Sequence, residues 1–478
     1  MDRLNSLERD ARRDLERLGY PASNWVPSLQ GPDGRPLLDV LVVGGGMCGR
    51  SAAFALLHEG VRNIRIVDRS EPGREGPWAT TARMETLRSP KHLTGPDLGI
   101  PALTFRAWHE AQFGRSGWDA LHKIPRLQWA DYLAWVAKVV GVSLENNTAA
   151  RAMRLEGARV RVDLHGPRGE ETVFARKVVL ALGRDGSGAP RWPEFPSFNP
   201  RHARSRVFHS ADDIDFRAWK GKRIGVLGAG ASAFDNAGAA LEAGAAEVTM
   251  FARRPFLPQV NKSKWTAFPG FLRGFAALDD ARRWRFYTYI FSEQVPPPYE
   301  SVLRCERHAG FSLRLGEPWT DLAADASGVT ASTPAGTLRF DAVIAATGFG
   351  VDLMDRPEIA SFRDSARVWA DRVSGEDARA YPEAARFPYL GDGFELQERS
   401  PGAAAGLRNV HLFNWGCTMS HGALAGDIPG LAIGANRLAD AIVRDLFVAD
   451  ADRHFKALVA HDEDELAQTR YYVPPEQR

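Results

Sequence analysis

Two short glycine turns hold the residues best suited to chemistry. Gly44-Gly45-Gly46-Met47-Cys48-Gly49 has G-x-G-x-x-G spacing, and Gly228-Ala229-Gly230-Ala231-Ser232-Ala233 repeats it with alanine in the last place. In such a turn the first glycine reverses the chain, the second lets backbone approach a pyrophosphate, and the third small residue lets helix and strand pack closely. The following helix aims its N-terminus at the phosphates. What ends the next strand differs between the two units. Asp68 ends the first and can accept from the hydroxyls of an adenosine ribose, whereas Arg253 and Arg254 end the second, where guanidiniums pair with a ribose 2′-phosphate. Gly44, Gly46, Met47, Gly49, Asp68 and Arg69 are therefore candidates for one dinucleotide. Gly228, Gly230, Ala231, Ser232, Ala233, Arg253 and Arg254 are candidates for a second, with NADPH preferred to NADH. The other reading of the two arginines is a solvated strand end.

The elements that must hold these turns are legible around them. Val40 to Val43 reads as a buried parallel strand, Ser51 to Leu57 as a helix and Ile64 to Val67 as a second strand. Arg223 to Leu227, Phe234 to Glu242 and Glu247 to Phe251 repeat the strand, helix, strand order. Each half is followed by an apolar return strand ending in small residues: Lys177 to Gly183, and Phe340 to Phe349 with Thr347 and Gly348 at its end. The predicted fold class is α/β with two Rossmann-like dinucleotide-binding units.

Around this frame, Leu4, Leu7, Ala11, Leu15 and Leu18 recur at helical spacing, so residues 1–37 read as a helical extension. That helix packs either on the body or on a second copy, as in a homodimer. Gly76 through Trp78 to Phe105 is a long irregular segment, and loops of that length are usually functional. Leu127 to Val139 is a predicted amphipathic helix. Gly186 to Pro193 is a candidate crossover between domains. Residues 255–315, rich in Phe, Trp, Pro and basic side chains, read as a cover over a site or as an exposed insertion. Asn409 to Phe413 is a strand, and Gly426-Asp427-Ile428-Pro429-Gly430 opens a last helix to about Leu446.

Composition narrows the classes. A chain of 478 residues is long enough for two or three domains, and a net charge of +2 with interspersed signs does not ask for nucleic acid or an anionic membrane. No apolar run is long enough to span a bilayer, and the charged N-terminus lacks a secretion signal, so a cytoplasmic protein is expected. Cys48, Cys305 and Cys417 lack CxxC or metal-ligand spacing, which argues against disulfides, bound metal and dithiol chemistry.

The acid-ended unit, the arginine-ended unit and the paired Ala-Thr-Gly type return strands together resemble the class B flavoprotein monooxygenases. These are two-dinucleotide-binding-domain flavoproteins that include flavin-containing, Baeyer-Villiger and N-hydroxylating enzymes. The resemblance covers about residues 38–447. It implies FAD on the first unit and NADPH on the second, with residues 196–329 as a nicotinamide domain inserted between flavin-domain parts 38–195 and 330–447, and 448–478 as a tail. The family motif F-x-G-x-x-x-H is met only at His209, with Ala203 and Ser205 at the Phe and Gly positions and Asp213 where Trp or Tyr is usual. Baeyer-Villiger activity is accordingly disfavoured. Leu87-Arg88-Ser89-Pro90-Lys91 is similar to the T-N-x-P-K loop of flavin-containing monooxygenases, which places Glu85, Arg88 and Lys91 towards the flavin ring. Surface ion pairing is their other reading. Pro125-Arg126 through Trp135, Leu257 through Asn261 and Ser420-His421-Gly422 look like ornithine and lysine N-hydroxylases. That likeness makes Asn261 and Lys262 substrate candidates.

The resemblance implies a monooxygenase reduced by NADPH, passing one atom of O2 by way of the flavin C4a atom to a nucleophilic N or S of a small molecule, amines and amino acids included. Arg88, Lys91 and His421 are the catalytic candidates, although His421 reads equally as a hydrogen-bonded structural histidine. Trp78 and Asp427 join the cofactor candidates, because Gly426 to Gly430 would offer backbone N–H groups and a helix dipole to the flavin pyrimidine. Two other classes share these motifs: an NADPH-dependent flavin oxidoreductase or oxidase, and a non-catalytic redox sensor.

Overall fold

In the computed structural model, which describes residues 2–92, 95–200, 203 and 205–477, the two glycine turns sit at the ends of two separate sheets. The first sheet is built on β1 (Leu38–Val43), flanked in parallel by β2 (Ile64–Val67) and by the last residues of β5 (Gly169–Leu180). Val40 to Val43 are at most 5% exposed, as a β-branched run covered on both faces should be. β5 is long and plays two parts. Its first half closes an antiparallel meander with β3 (Ala149–Glu156) and β4 (Arg159–Gly166), and its end also receives β16 (Val410–Leu412) in parallel. The helix α2 (Met47–His58) leaves the first turn and packs against α8 (Leu431–Ala449), so two helix N-termini converge at this end of the sheet.

The second sheet is wholly parallel. β8 (Arg223–Leu227) lies between β9 (Glu247–Ala252) and β14 (Ala342–Ala345), with β10 (Phe311–Leu315) and β7 (Val207–His209) outermost. α5 (Ala231–Glu242) leaves its turn. A small antiparallel sheet, β11 (Asp321–Asp325), β12 (Gly328–Thr333) and β13 (Gly336–Phe340), joins it through the rings of Phe251, Trp319 and Phe340. Each of the two large sheets has its own apolar core. The two passes of chain between them pair with each other as β6 (Gly188–Pro190) and β15 (Phe349–Val351). His209 braces the same place, its Nε2 3.0 Å from the Gly348 carbonyl.

The N-terminal helix α1 (Asp2–Arg17) packs on the body, burying Ala11 and Leu15 against α3 (Phe105–Ala120) and α4 (Arg126–Val139). α3 is a helix that the sequence pattern hides, because it is kinked at Gly114 (φ +73°) and carries no continuous apolar stripe. The 255–315 segment is also more ordered than its composition suggests. It folds into short helices, including α6 (Asp280–Glu293) and α7 (Tyr299–Glu306), and buries Phe271, Phe275, Trp284 and Tyr287 with Trp369, Phe387 and Met419. Among the described residues no helix is long and apolar enough to cross a membrane, no acidic, His or Cys group could hold a metal, and all three cysteines are free and buried. Leu93 and Thr94 of the long loop and Arg204 of the partial motif lie outside the described residues.

Candidate flavin and nicotinamide sites

The first turn has the geometry its spacing requires. Gly44 adopts φ +105°, and a Cβ there would stand 2.5 Å from the Ala181 carbonyl oxygen. A Cβ on Gly49 would lie 1.9 Å from Gly44 O, so only glycine lets α2 pack this closely. Gly46 differs. Its nearest neighbour is Gly76 Cα at 3.8 Å, so the protein leaves space above it for an incoming group. Asp68 accepts from Gly45 N and Ser70 N, each at 2.7 Å, which fixes the carboxylate beside the turn with lone pairs remaining for a ribose. Arg50 donates to Gly45 O at 2.8 Å and pairs with Glu75 at 3.0 Å. Met47 is buried at the first position of α2, while Arg69 points outward to Asp185.

The cleft beside this turn is lined by charge. Arg184, directly after the first return strand, is exposed, with Asp427 as an attracting counter-charge. Its guanidinium lies 3.9 Å from the centre of the Trp415 ring. Burial raises the Asp427 carboxyl above the usual range, and the attraction of Arg184 and then Arg88 works against that rise. Asp427 stands at the N-cap position of the turn leading into α8 without a side-chain capping bond, and Gly426 backs onto the Cys48 thiol, whose pKa burial pushes up to about 12. Two buried donors here have no protein acceptor: Trp78 Nε1, and Nδ2 of Asn414, whose Oδ1 takes Ser187 Oγ and Gly416 N at 2.9 Å. Open space at Gly46, orphaned donors and a guanidinium on an aromatic ring fit a bound flavin dinucleotide.

The second turn repeats the first. Gly228 has φ +112°, with a Cβ placed 2.5 Å from Ala346 O, whereas Gly230, at the N-cap of α5, has nothing within 4 Å. Ala231 and Ser232 open the helix, and Ala233, in the place of the third glycine, is completely buried. Arg253 and Arg254 follow β9 and form no ion pair among the described residues, which leaves both guanidiniums for an anion.

Between the two units the chain is stitched by a network absent from the sequence reading. Asp235, one turn into α5 and 3% exposed, accepts from Ser301 Oγ at 2.6 Å, and its other oxygen faces Arg88 Nη2 at 3.5 Å. Arg304 of α7 lies on Gly238, pairs with Glu242 and donates to Arg83 O at 2.7 Å. The signal for Asp235 was the pair Asp235-Asn236 inside an otherwise apolar helix; for Arg184 it was a lone cation at the end of a buried strand.

Other candidates are placed elsewhere, each for a physical reason. His421 is 2% exposed, its Nε2 is 2.8 Å from Gly391 O, its Nδ1 faces Arg437, and its ring lies on Phe394. Burial lowers its pKa to about 3, and both ring nitrogens face protein groups. Lys91 donates to the Trp118 carbonyl at 2.5 Å and rests on that indole, so it caps α3 instead of facing the cleft. Asn261 spends its Oδ1 on the N–H of Lys264 at the start of a four-residue helix, and Lys262 lies over Tyr289. Thr347 donates to Arg191 O, and Gly348 O receives Arg191 N at 2.8 Å, so both serve the crossover.

Two Rossmann-like units, each opened by a glycine turn, are the architecture of the two-dinucleotide-binding-domain flavoproteins. Sequence comparison agrees: the FAD-NAD(P)-binding family matches residues 41–185, and the L-lysine 6-monooxygenase/L-ornithine 5-monooxygenase family matches residues 118–289. The FAD-dependent urate hydroxylase of Xanthomonas campestris pv. campestris is 40% identical over 97% of both chains. The chain belongs to the same family of FAD-dependent monooxygenases as that enzyme. Among solved structures, ornithine hydroxylase from Pseudomonas aeruginosa has a TM-score of 0.67 at 17% identity, covering 86% of this chain and 100% of its own. Bacillithiol disulfide reductase from Bacillus cereus has a TM-score of 0.55 at 16% identity, covering 85% and 98%. A reductase thus shares the fold, and at these identities the likeness speaks for fold alone.

Proposed function

We propose that this monooxygenase hydroxylates urate or a closely similar planar oxypurine anion, with NADPH as reductant. Full-length relatedness at 40% identity to a urate hydroxylase carries the reading. The cleft supports it. Arg88, which Asp235 holds at only 3.5 Å, and Arg184, which faces Asp427, offer guanidiniums to a planar anion, and Trp415 adds an aromatic face.

Bound FAD, once reduced, supplies the activation of O2 that no side chain here can perform. The chain does the rest. Gly44, Gly46, Gly49 and Asp68 seat the flavin dinucleotide, with Trp78 and Asp427 beside it. Gly228, Gly230 and the first turn of α5 seat the nicotinamide dinucleotide, with Arg253 and Arg254 taking the 2′-phosphate. Arg88, on the loop between the two units, offers a cation to the substrate. The aromatic 255–315 helices, packed against Gly422 through Phe271 and Phe275, exclude water from the cleft. Urate has no C–H bond, so the hydroxyl enters at a carbon of its ring C=C bond while the double bond shifts to a ring C=N and that nitrogen gives up its proton. In sum, urate, O2, NADPH and a proton give hydroxylated urate, NADP+ and water.

The match of residues 118–289 to the lysine/ornithine monooxygenases supports a second reading, N-hydroxylation of an amine. Purified FAD-loaded enzyme, given NADPH and oxygen with urate, xanthine, L-ornithine or L-lysine in turn, separates them by product mass and product formed per NADPH. One hydroxylated product per NADPH with urate is expected. A hydroxylamine from ornithine or lysine with no urate product overturns the first reading for the second. Peroxide alone with every compound overturns both.

A further inference from the structure

The flavin loop and the nicotinamide helix meet at one buried carboxylate. Asp235 lies on α5 five residues beyond Gly230, about 7–8 Å along the helix axis from the N-terminus that faces the phosphates. Its two oxygens look in opposite directions, Oδ1 to Ser301 on α7 and Oδ2 to Arg88 on the loop that follows the first unit. Arg88 is 43% exposed on its side chain and makes no shorter ion pair among the described residues, so Asp235 is the group that orients it. Arg304, through Glu242 and the Arg83 carbonyl, ties the same helix to the same loop and keeps the two from sliding.

We infer that Asp235 is a positioning residue that links occupancy of the nicotinamide site to the placement of Arg88 in the substrate cleft. A dinucleotide seated on the N-terminus of α5 fixes that helix. The helix fixes Asp235, and Asp235 fixes the guanidinium that meets the substrate. A buried carboxylate does this well, because an Arg88 that leaves it takes away its paired cation and leaves the charge to the Ser301 hydroxyl and the more distant Arg304. The 3.5 Å separation, longer than a tight charge-assisted bond, leaves Arg88 free to share itself between Asp235 and an incoming anion.

This rests on Arg88 facing the substrate, as proposed above, and the test separates the two. Asp235→Asn, Arg88→Ala and the double variant are compared for product formed per NADPH, KM against kcat for urate, and peroxide released by NADPH-loaded enzyme without any substrate. FAD content and thermal midpoint establish folding. In Asp235→Asn, product per NADPH should fall about three- to tenfold and urate KM should rise, while flavin reduction at saturating NADPH changes less than about twofold. The double variant should be no worse than Arg88→Ala, since both act through one group. Additive losses, or an Asp235→Asn enzyme with full yield and unchanged KM, overturn the inference. If urate is not hydroxylated by the native enzyme, the functional reading falls, whereas non-additive peroxide release from the two variants still upholds the link and additive release still overturns it. Should Asp235→Asn fail to fold, Ser301→Ala loosens the same carboxylate and is expected to shift the same readouts in the same direction.

Discussion

The Arg184 guanidinium stands 3.9 Å from the centre of the Trp415 ring, with Asp427 as its counter-charge. A guanidinium can lie flat on an indole and still bond at its edge, whereas an ammonium cannot. Arg184 is exposed, and at such a site that contact is worth about 0.5–1 kcal/mol. Arg184→Ala should weaken FAD binding about two- to fivefold, and Arg184→Lys should recover little of it. Fluorescence titration of apoprotein with FAD measures both. Unchanged affinity would place Arg184 outside the flavin site.

Gly44 and Gly228 answer to different cofactors, and that separates the two sites by mutation. A Cβ at either position meets a carbonyl oxygen at 2.5 Å in a left-handed backbone conformation. Such strain costs about 1–3 kcal/mol before any clash with a ligand. Gly44→Ala is expected to purify with little flavin. Gly228→Ala should keep its flavin but raise the KM for NADPH at least about tenfold. Absorbance of the purified proteins and anaerobic flavin reduction distinguish these outcomes.

Among the described residues no carboxylate holds Arg253 or Arg254, so a 2′-phosphate would gain their charge-assisted bonds without breaking others. Each such bond contributes about 1.5–3 kcal/mol. Arg253→Ala and Arg254→Ala should therefore raise KM for NADPH about tenfold or more, with KM for NADH nearly unchanged. Equal effects on both nucleotides would make the pair a solvated strand end.

The two βαβ units were legible because glycine spacing, strand apolarity and the closing residue are local signals that agree with one another. The cleft was only half legible. Trp78 and Asp427 could be picked from their turns, but Arg88 meets Asp235 across 147 residues of sequence, and nothing local announces that pairing. His421 could be read locally either as a catalytic or as a hydrogen-bonded structural histidine, because the Gly391, Phe394 and Arg437 that surround it come together only after the chain has folded. α3 was missed because two glycines break its pattern, and its tertiary packing makes up for their weak propensity.

Two buried histidines set the acid limb of stability. His421 and His411 are held neutral, each with its pKa lowered to about 3 by burial. The unfolded chain binds a proton at each from about pH 6.5 downward, so stability falls as pH drops from there towards 3. Each histidine contributes up to about 1.4 kcal/mol per pH unit in that window. His421→Gln should flatten the slope by one histidine's share while leaving no gap in the pH profile of turnover between pH 6 and 8. Denaturant melts at several pH values test the first part. A lost limb in the turnover profile would return His421 to catalysis.

Asp39 acts in the other direction over part of the same range. It is 3% exposed at the head of β1 and shares Arg176 with Asp450, at 3.8 Å against 2.7 Å for its competitor. Burial raises its pKa to about 6. A carboxyl whose folded pKa exceeds its unfolded value stabilises fully below about pH 4, and that stabilisation is lost as pH rises through 6. Ionised Asp39 is thus a burden at neutral pH, and Asp39→Asn should gain about 1–3 kcal/mol at pH 7.5 while Arg176 keeps Asp450. Near pH 4 the gain should vanish, because native Asp39 is then protonated as well. The variant therefore loses stability with acid more steeply than the native protein, since the histidine losses are no longer offset. Parallel melting curves for the two proteins at all pH values would show that Asp39 titrates normally and that Arg176 serves it as closely as it serves Asp450.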